Sequence, residues 1–322
     1  MLEVTDLHVG FVLPNGAEVH AVRGLSLVIE PGESFGLVGE SGCGKSTVAL
    51  AMMGLLPSNA WVSGRISVRG RDILSQSERQ LRGVRWKDSA MVPQGAMNAL
   101  NPVRTVGRQL TEPMLLHGTV PSKKDAVARA RELLEMVGIP GARLDRYPHE
   151  LSGGMRQRVT IAMALACGPA VLLADEPTTA LDVMVQAQIL KLLRTLCDEL
   201  QLALMLVTHD LAAVAQICQK GGVMYAGELV ETGSMDKLYH QPRHPYTGRL
   251  FAATPDLHGL SAVTSIPGAP PRLDQPMRGC PFAPRCDRAL ATCEEIHPAR
   301  VTLPDGTLVT CSRYQLPIEV SS

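Results

Sequence analysis

Eight residues decide most of what this chain can be. Gly39-Glu40-Ser41-Gly42-Cys43-Gly44-Lys45-Ser46 fits the pattern G-x-x-x-x-G-K-[ST]. It follows a short apolar run, Ser34 to Val38, and opens an apolar helix expected from about Lys45 to Leu56, where Pro57 stops it. Between a strand and a helix, the glycines let successive backbone N–H groups turn inward on a phosphate, and the helix start adds its positive end. Lys45 is suited to neutralise β- and γ-phosphate oxygens, and the Ser46 hydroxyl to ligate Mg²⁺. Gly39, Ser41, Gly42, Cys43, Gly44 and Thr47 complete the expected cradle. The loop alone says that a nucleoside triphosphate binds, and no more.

Strand and helix patterns alternate around this loop. Leu7, Val9 and Phe11, then Leu25, Leu27 and Ile29, alternate in strand fashion about a turn signal at Pro14-Asn15-Gly16. Another strand is expected from Arg65 to Val68. From about Leu100 the texture becomes helical: Ser122 with Asp125 reads as a capping start, Val127, Ala130, Leu133, Leu134 and Val137 hold helical spacing, and Gly138 ends it. Buried strand and helix return after Pro169, and the hairpin-like run Gly222 to Gly233 closes the segment. This order predicts an α/β fold with a parallel sheet and a helical insertion. From about Pro242 periodicity fades while Pro and Gly become frequent.

Composition removes several functions. Thirty-one Lys and Arg balance 31 Asp and Glu, so the basic face of a duplex binder is missing. Aromatics at 3% leave little for stacking bases, and 45% hydrophobic residues exclude intrinsic disorder. The start, with Glu3 and Asp6, does not read as a secretory signal. The longest apolar run, Val159 to Ala174, is broken by Gly168 and Pro169 and falls short of the ~20 residues a membrane helix needs. A soluble, cytosolic chain is expected, so its eight cysteines read as thiols or metal ligands before disulfides.

Val171 to Glu176 is an apolar strand ending in two acids. Adjacent strand residues point to opposite sides, which predicts separate jobs. Asp175 is placed to hold a Mg²⁺ shell. Glu176 is placed to polarise the attacking water as general base, a role typically worth ~10²–10⁴-fold in rate. His209 follows the strand Leu204 to Thr208, and ligands collect at the carboxyl ends of such strands. Gln94, after Ala90 to Val92, is by itself an ordinary loop residue. Leu151-Ser152-Gly153-Gly154-Met155 opens a helix near Arg156 and forms a second anion-binding helix start. Two such starts for one nucleotide are reconciled if Ser152 serves an ATP held on a different subunit.

Together these motifs resemble the ABC-transporter ATPases in order and spacing. Leu151 to Ala166, Ala174 to Val183, Val223 to Gly233 and His244-Pro245-Tyr246-Thr247 are more narrowly similar to the oligopeptide/dipeptide (and nickel) importer ATPases, and Met155 resembles the D member of their paired D and F subunits. The resemblance implies a P-loop (RecA-like) ABC nucleotide-binding domain over 1–241. That domain carries an N-terminal antiparallel β-subdomain and a helical subdomain at about 96–160, with a Cys-containing extension over 242–322. It implies a head-to-tail dimer around two Mg-ATP, with Lys45, Ser46, Gln94, Asp175, Glu176 and His209 in this chain's site. Ser46, Gln94 and Asp175 would surround the magnesium, and Phe11 would stack on adenine. Ser152, Gly153, Gly154 and Met155 would complete the partner's site, and Asp182 would couple the two. Implied partners are a second, F-type ATPase, two transmembrane permeases docking near Ala96 to Val103, and an extracytoplasmic substrate-binding protein. No nucleic acid is expected, and the location implied is the cytoplasmic face of the membrane. Pro93 departs from the family's bulky residue before the glutamine, and Cys43 from its serine. A soluble ABC ATPase of DNA repair or translation is the alternative.

Cys280-x5-Cys286-x6-Cys293-x17-Cys311 lacks the C-x-x-C knuckles of ordinary zinc sites and the ferredoxin spacing. Spacing leaves free thiols, zinc and iron–sulfur open. The match of this stretch to the family's C-terminal extension implies a [4Fe–4S] cluster, with structural Zn²⁺ second.

Overall fold

The computed structural model describes residues 1–95, 99–253 and 265–315. Part of the expected permease-docking segment (96–98) and the stretches 254–264 and 316–322 of the extension lie outside the described residues. In chain order the strands begin with β1 (Leu2–Val12), β2 (Glu18–Ile29), β3 (Ser34–Val38), β4 (Ala60–Val68), β5 (Arg71–Asp72) and β6 (Ser89–Val92). They continue with β7 (Val171–Asp175), β8 (Ala203–Val207), β9 (Lys220–Tyr225), β10 (Glu228–Ser234), β11 (Arg300–Thr302) and β12 (Leu308–Thr310). The helices are α1 (Lys45–Met52), α2 (Glu78–Val84), α3 (Val106–Leu116), α4 (Lys123–Met136), α5 (Gly153–Ala164), α6 (Val183–Leu200), α7 (Leu211–Ile217), α8 (Met235–His240) and α9 (Pro245–Ala252).

Two sheets result. One is antiparallel, β2-β1-β4-β5, and the other has eight strands in the order β11-β12-β10-β9-β3-β8-β7-β6. β6, β7, β8, β3 and β9 run parallel, each beside the next. Every residue of β3, β7 and β8 is buried, as expected for a parallel sheet covered on both faces. Alternation still sorts the two faces. Val171, Leu173, Met205 and Val207 pack with α1 and the antiparallel sheet, whereas Leu172, Ala174, Leu204 and Leu206 pack with the helical segments α3 to α6.

The elements agree closely with the sequence reading, with one shortening. α1 ends at Met52, because Gly54 turns left-handed (φ 60°) and closes the helix a turn before Pro57. Ser122 Oγ accepts from Asp125 N, as its capping pattern predicts. The β9–β10 hairpin turns through Ala226 and Gly227, both with positive φ, the primed geometry that matches strand twist.

The extension is not a loose tail. β12 pairs with β10 (Glu231 with Val309, Thr232 with Leu308) and so adds strands to the central sheet. His297 Nε2 meets both carboxylate oxygens of Glu228 at 2.9 and 3.0 Å, and this contact raises the imidazole pKa above its ordinary value of 6.5. A group raised on folding stabilises fully below its unfolded pKa and loses that contribution as pH climbs through the folded one. The melting temperature is therefore expected to fall as pH rises above about 6.5. In His297→Gln this part of the pH dependence should disappear; an unchanged profile would show that the ion pair does not anchor the extension.

Candidate nucleotide site

Parallel pairing sets the carboxyl ends of β6, β7, β8 and β3 side by side. At that edge a cavity of about 570 Å³ is lined by Phe11, Lys45, Ser46, Gln94, Glu176 and His209, with Ser41, Gly42, Gly44 and Thr47 of the loop. The sequence had named all of these. Val19, Ala21 and Leu273 also line it and were not foreseen. Leu273 comes from the extension and has no local signal.

The loop is tightly built. A Cβ on Gly44 (φ 106°) would meet the Ala21 carbonyl oxygen at 2.2 Å, so the lysine's predecessor must be glycine. Lys45, 6% exposed, donates from Nζ to the carbonyls of Gly39 (2.8 Å) and Glu40 (2.9 Å). These are neutral acceptors, which a phosphate oxygen outcompetes. Cys43 is buried with Sγ 3.7 Å from Lys45 Nζ, and burial pushes its thiol pKa up.

The two acids at the end of β7 do separate, but not by strand alternation. β7 ends at Asp175, and Glu176 turns out of the strand in a left-handed conformation (φ 45°), its N–H held by the Val207 carbonyl at 2.7 Å. Strained backbone of this kind, costing about 1–3 kcal/mol, persists only where surrounding contacts over-determine it. Asp175 accepts from Ser46 Oγ at 3.2 Å. Burial raises its pKa, against the hydrogen bond from Ser46, and the charge of Glu176 adds to the rise. A buried carboxylate beside a hydroxyl is an oxygen donor set suited to a divalent cation, so these two residues fit the expected magnesium.

Glu176 is surrounded by donors. Gln94 Nε2 (2.9 Å) and Thr179 Oγ1 (3.0 Å) reach its Oε2, and His209 Nδ1 reaches Oε1 at 2.9 Å. Burial works to raise its pKa, but the bonds from His209 and Thr179 outweigh it and hold the carboxyl below the ordinary range. Gln94, expected on the magnesium, is engaged with Glu176 here. Thr179 was missed, although its place three residues after Glu176 is an i+3 turn contact.

Ser152 to Met155 and Asp182 do not line this cavity. Ser152 caps α5 by accepting from Met155 N (3.3 Å), and Asp182 caps α6 by accepting from Val185 N (3.0 Å). The two starts abut: a Cβ on Gly154 would sit 2.7 Å from Val185. Val183 and Met184, beside Asp182, are 80% and 72% exposed.

The cysteines of the extension share a neighbourhood, and burial, then the charges of Cys293, Cys311 and Cys286, raise the Cys280 thiol to about 11. Yet among the described residues no three His, Cys, Asp or Glu side chains converge closely enough to hold a metal. The expected [4Fe–4S] or zinc cage on Cys280, Cys286, Cys293 and Cys311 is therefore not preformed. Two of the sulfurs instead accept local backbone N–H groups, Cys286 from Arg288 and Cys293 from Leu290 at 3.4 Å.

A phosphate loop, a strand-end Asp-Glu pair and a second Ser-Gly-Gly helix start on this sheet define an ATP-binding cassette. The chain belongs to the ABC transporter family, in its oligopeptide/dipeptide branch: residues 22–179 match the ABC transporter profile, and 230–293 the oligopeptide/dipeptide transporter C-terminal region. It is 46% identical over 317 residues to the dipeptide transport ATP-binding protein of Bacillus subtilis, covering 97% of this chain and 94% of that one. It is also 46% identical to the oligopeptide transport ATP-binding protein of Salmonella typhimurium, covering 99% and 94%. Among solved structures it is similar to a dimeric ATP-binding cassette in a post-hydrolysis state bound to ADP and Pi (TM-score 0.64, 26% identity, 73% of this chain and 99% of that one). These relatives favour the transporter reading over DNA repair or translation.

Glu176→Gln is expected to lower ATP hydrolysis by roughly 10²–10⁴-fold with nucleotide binding intact. Because its donors hold Glu176 ionised well into acid, His209→Gln should shift the acid limb of the pH–rate profile upward. A limb that stays put would mean His209 does not set the carboxylate's ionisation.

Proposed function

We propose that this chain is the ATP-hydrolysing subunit of a membrane importer for di- or oligopeptides. The observation that carries the reading is the cavity where the loop, Glu176 and His209 meet, with Asp175 bonded to Ser46 behind it, in a chain whose relatives are named for dipeptide and oligopeptide transport. Lys45 and the loop amides bind the triphosphate. Ser46 and Asp175 would hold magnesium, which would supply charge neutralisation for the triphosphate. Glu176 takes the proton of the attacking water while His209 fixes the carboxylate's orientation.

Closure follows from linkage. ATP favours the closed pair because only there do Ser152, Gly153, Gly154 and Met155 of one subunit reach the other's γ-phosphate, and differential affinity shifts the equilibrium. Asp182 and its exposed apolar neighbours Val183 and Met184 support a dimer face here. Within this reading 1–241 form the nucleotide-binding domain and 242–322 its extension. The second subunit is an F-type ATPase. Two permeases supply the pore, since no described helix is long and apolar enough to cross a membrane, and an extracytoplasmic protein delivers the cargo. A groove of about 960 Å³ between α3 and α4, with Leu115, Leu116 and Val127 exposed, suits the docking of an amphipathic permease helix. The chain sits at the cytoplasmic face of the membrane as a peripheral subunit.

The finer reading of the extension is a metal centre on its four cysteines, [4Fe–4S] before Zn²⁺. Four cysteines that share a neighbourhood in a segment of little regular structure support it.

In the co-purified complex, Ser152→Arg is expected to abolish ATPase activity and peptide uptake while this chain still binds nucleotide; full turnover would refute the composite site. Anaerobic purification, with iron, acid-labile sulfide and zinc measured, decides the cysteine centre. A brown iron–sulfide protein supports the cluster, a colourless zinc protein the second choice, and a metal-free chain neither.

A further inference from the structure

The phosphate loop is gripped from outside its own motif. Glu40, its second residue, donates its N–H to the Tyr246 hydroxyl at 3.0 Å. Its carboxylate receives a two-pronged ion pair from Arg285, Nη1 to Oε2 at 2.7 Å and Nη2 to Oε1 at 2.9 Å. These partners lie 206 and 245 positions downstream, in the extension. The Glu40 carbonyl in turn accepts from Lys45 Nζ, so one residue separates the extension from the phosphate-binding lysine.

Both partners are rigidly held. The Arg285 side chain is 5% exposed, and it also donates from Nε to the Pro267 carbonyl (2.9 Å) and from Nη1 to the Tyr225 hydroxyl (3.2 Å). Tyr246 lies in the first turn of α9. His244 caps that turn, accepting from Tyr246 N at 3.1 Å, while buried Glu231 binds the N–H groups of Arg243 and His244 at 2.8 Å each. The Tyr225, Tyr246 and Phe282 rings pack together with centroids 4.6 to 5.3 Å apart. This gives the His244-Pro245-Tyr246 motif a physical task that the nucleotide chemistry left unassigned. Leu273 of the extension lines the cavity itself, and its carbonyl accepts from His20 N at 3.3 Å, so the extension meets both the loop and the cavity wall.

We propose that Arg285 and Tyr246 are positioning residues of the nucleotide site: by clamping Glu40 they pre-order the phosphate loop, making nucleotide affinity a property of the C-terminal extension. The inference rests on the reading of this loop as the ATP site. A glycine-rich loop left free loses conformational entropy on binding, and a loop fixed beforehand does not. A guanidinium is needed because its planar fork matches a carboxylate with two parallel bonds, which an ammonium cannot do.

The test is titration of the 322-residue chain with a fluorescent ATP analogue, with melting curves to confirm folding. Glu40→Gln and Arg285→Lys are each expected to weaken Mg-ATP and Mg-ADP alike by about tenfold, within the roughly 5- to 150-fold usual for coupled sites. The double variant should be no weaker than the poorer single one. In the assembled complex KM should rise while kcat at saturating ATP stays within a few-fold, a split that general loss of structure does not give. Tyr246→Phe removes only the hydroxyl and keeps the ring packing, so it remains readable if Arg285→Lys unfolds. Unchanged affinity in folded Glu40→Gln and Tyr246→Phe, or additive losses in the double variant, would overturn the proposal. Lys45→Ala is the control: if it still binds nucleotide with wild-type affinity, the ATP-site reading itself fails.

Discussion

Parallel pairing of β3 between β8 and β9, with β7 and β6 beyond β8, is the constraint on which everything else rests. Parallel neighbours deliver their carboxyl ends to one edge of a sheet. The phosphate loop, His209, the Asp175-Glu176 pair and Gln94 leave four different strands and still meet. Register is fixed from both faces, because α1 and the antiparallel sheet cover one side and α3 to α6 the other. Slipping β7 by one residue would expose its core set to the wrong layer and draw Asp175 away from Ser46. The catalytic geometry is thus secured by aliphatic packing, not by the polar contacts it displays.

Within that edge, neighbouring carboxylates are driven in opposite directions. Asp175 is buried with one hydroxyl partner, so its charged form is costly and a bound cation relieves it. Glu176 has three donors and stays readily ionised. Environments that push two acids apart are how a site divides labour between them. Three donors occupy three of the four lone-pair sites of the Glu176 carboxylate, two on Oε2 and one on Oε1, so one site on Oε1 stays open for a proton. All three donors are exposed: Gln94 lies in the loop after β6, Thr179 in the same turn as Glu176, and His209 just beyond the end of β8.

Much of this was legible because local chemistry fixed it. The loop needs its glycines, the cap Ser122 needs its short oxygen side chain, and the buried strands need their aliphatic runs. What stayed hidden depends on distant segments. The left-handed Glu176 is imposed by the Val207 carbonyl and its ring of donors, so the two acids part for a reason that strand alternation does not contain. Leu273 enters the pocket from a segment without periodicity, and no local pattern could place Arg285 on a residue 245 positions earlier. The cysteine spacing announced chemistry, but the side chains do not converge into a cage on their own.

That last point bears on why the extension belongs to the cassette at all. β12 on β10, His297 on Glu228, Leu273 on His20, and Arg285 with Tyr246 on Glu40 fasten it at separated places, and the contacts to Glu40 reach the nucleotide loop. Arg285 sits in a single tight turn between Cys280 and Cys286, where Ala283 N bonds the Cys280 carbonyl and Cys286 N the Ala283 carbonyl. A cross-link joining those two thiols to Cys293 or Cys311 would remove freedom from that turn and from the guanidinium it carries. Stiffness introduced at the cysteines would then be felt as order in the phosphate loop, through the partly buried Arg285–Glu40 ion pair.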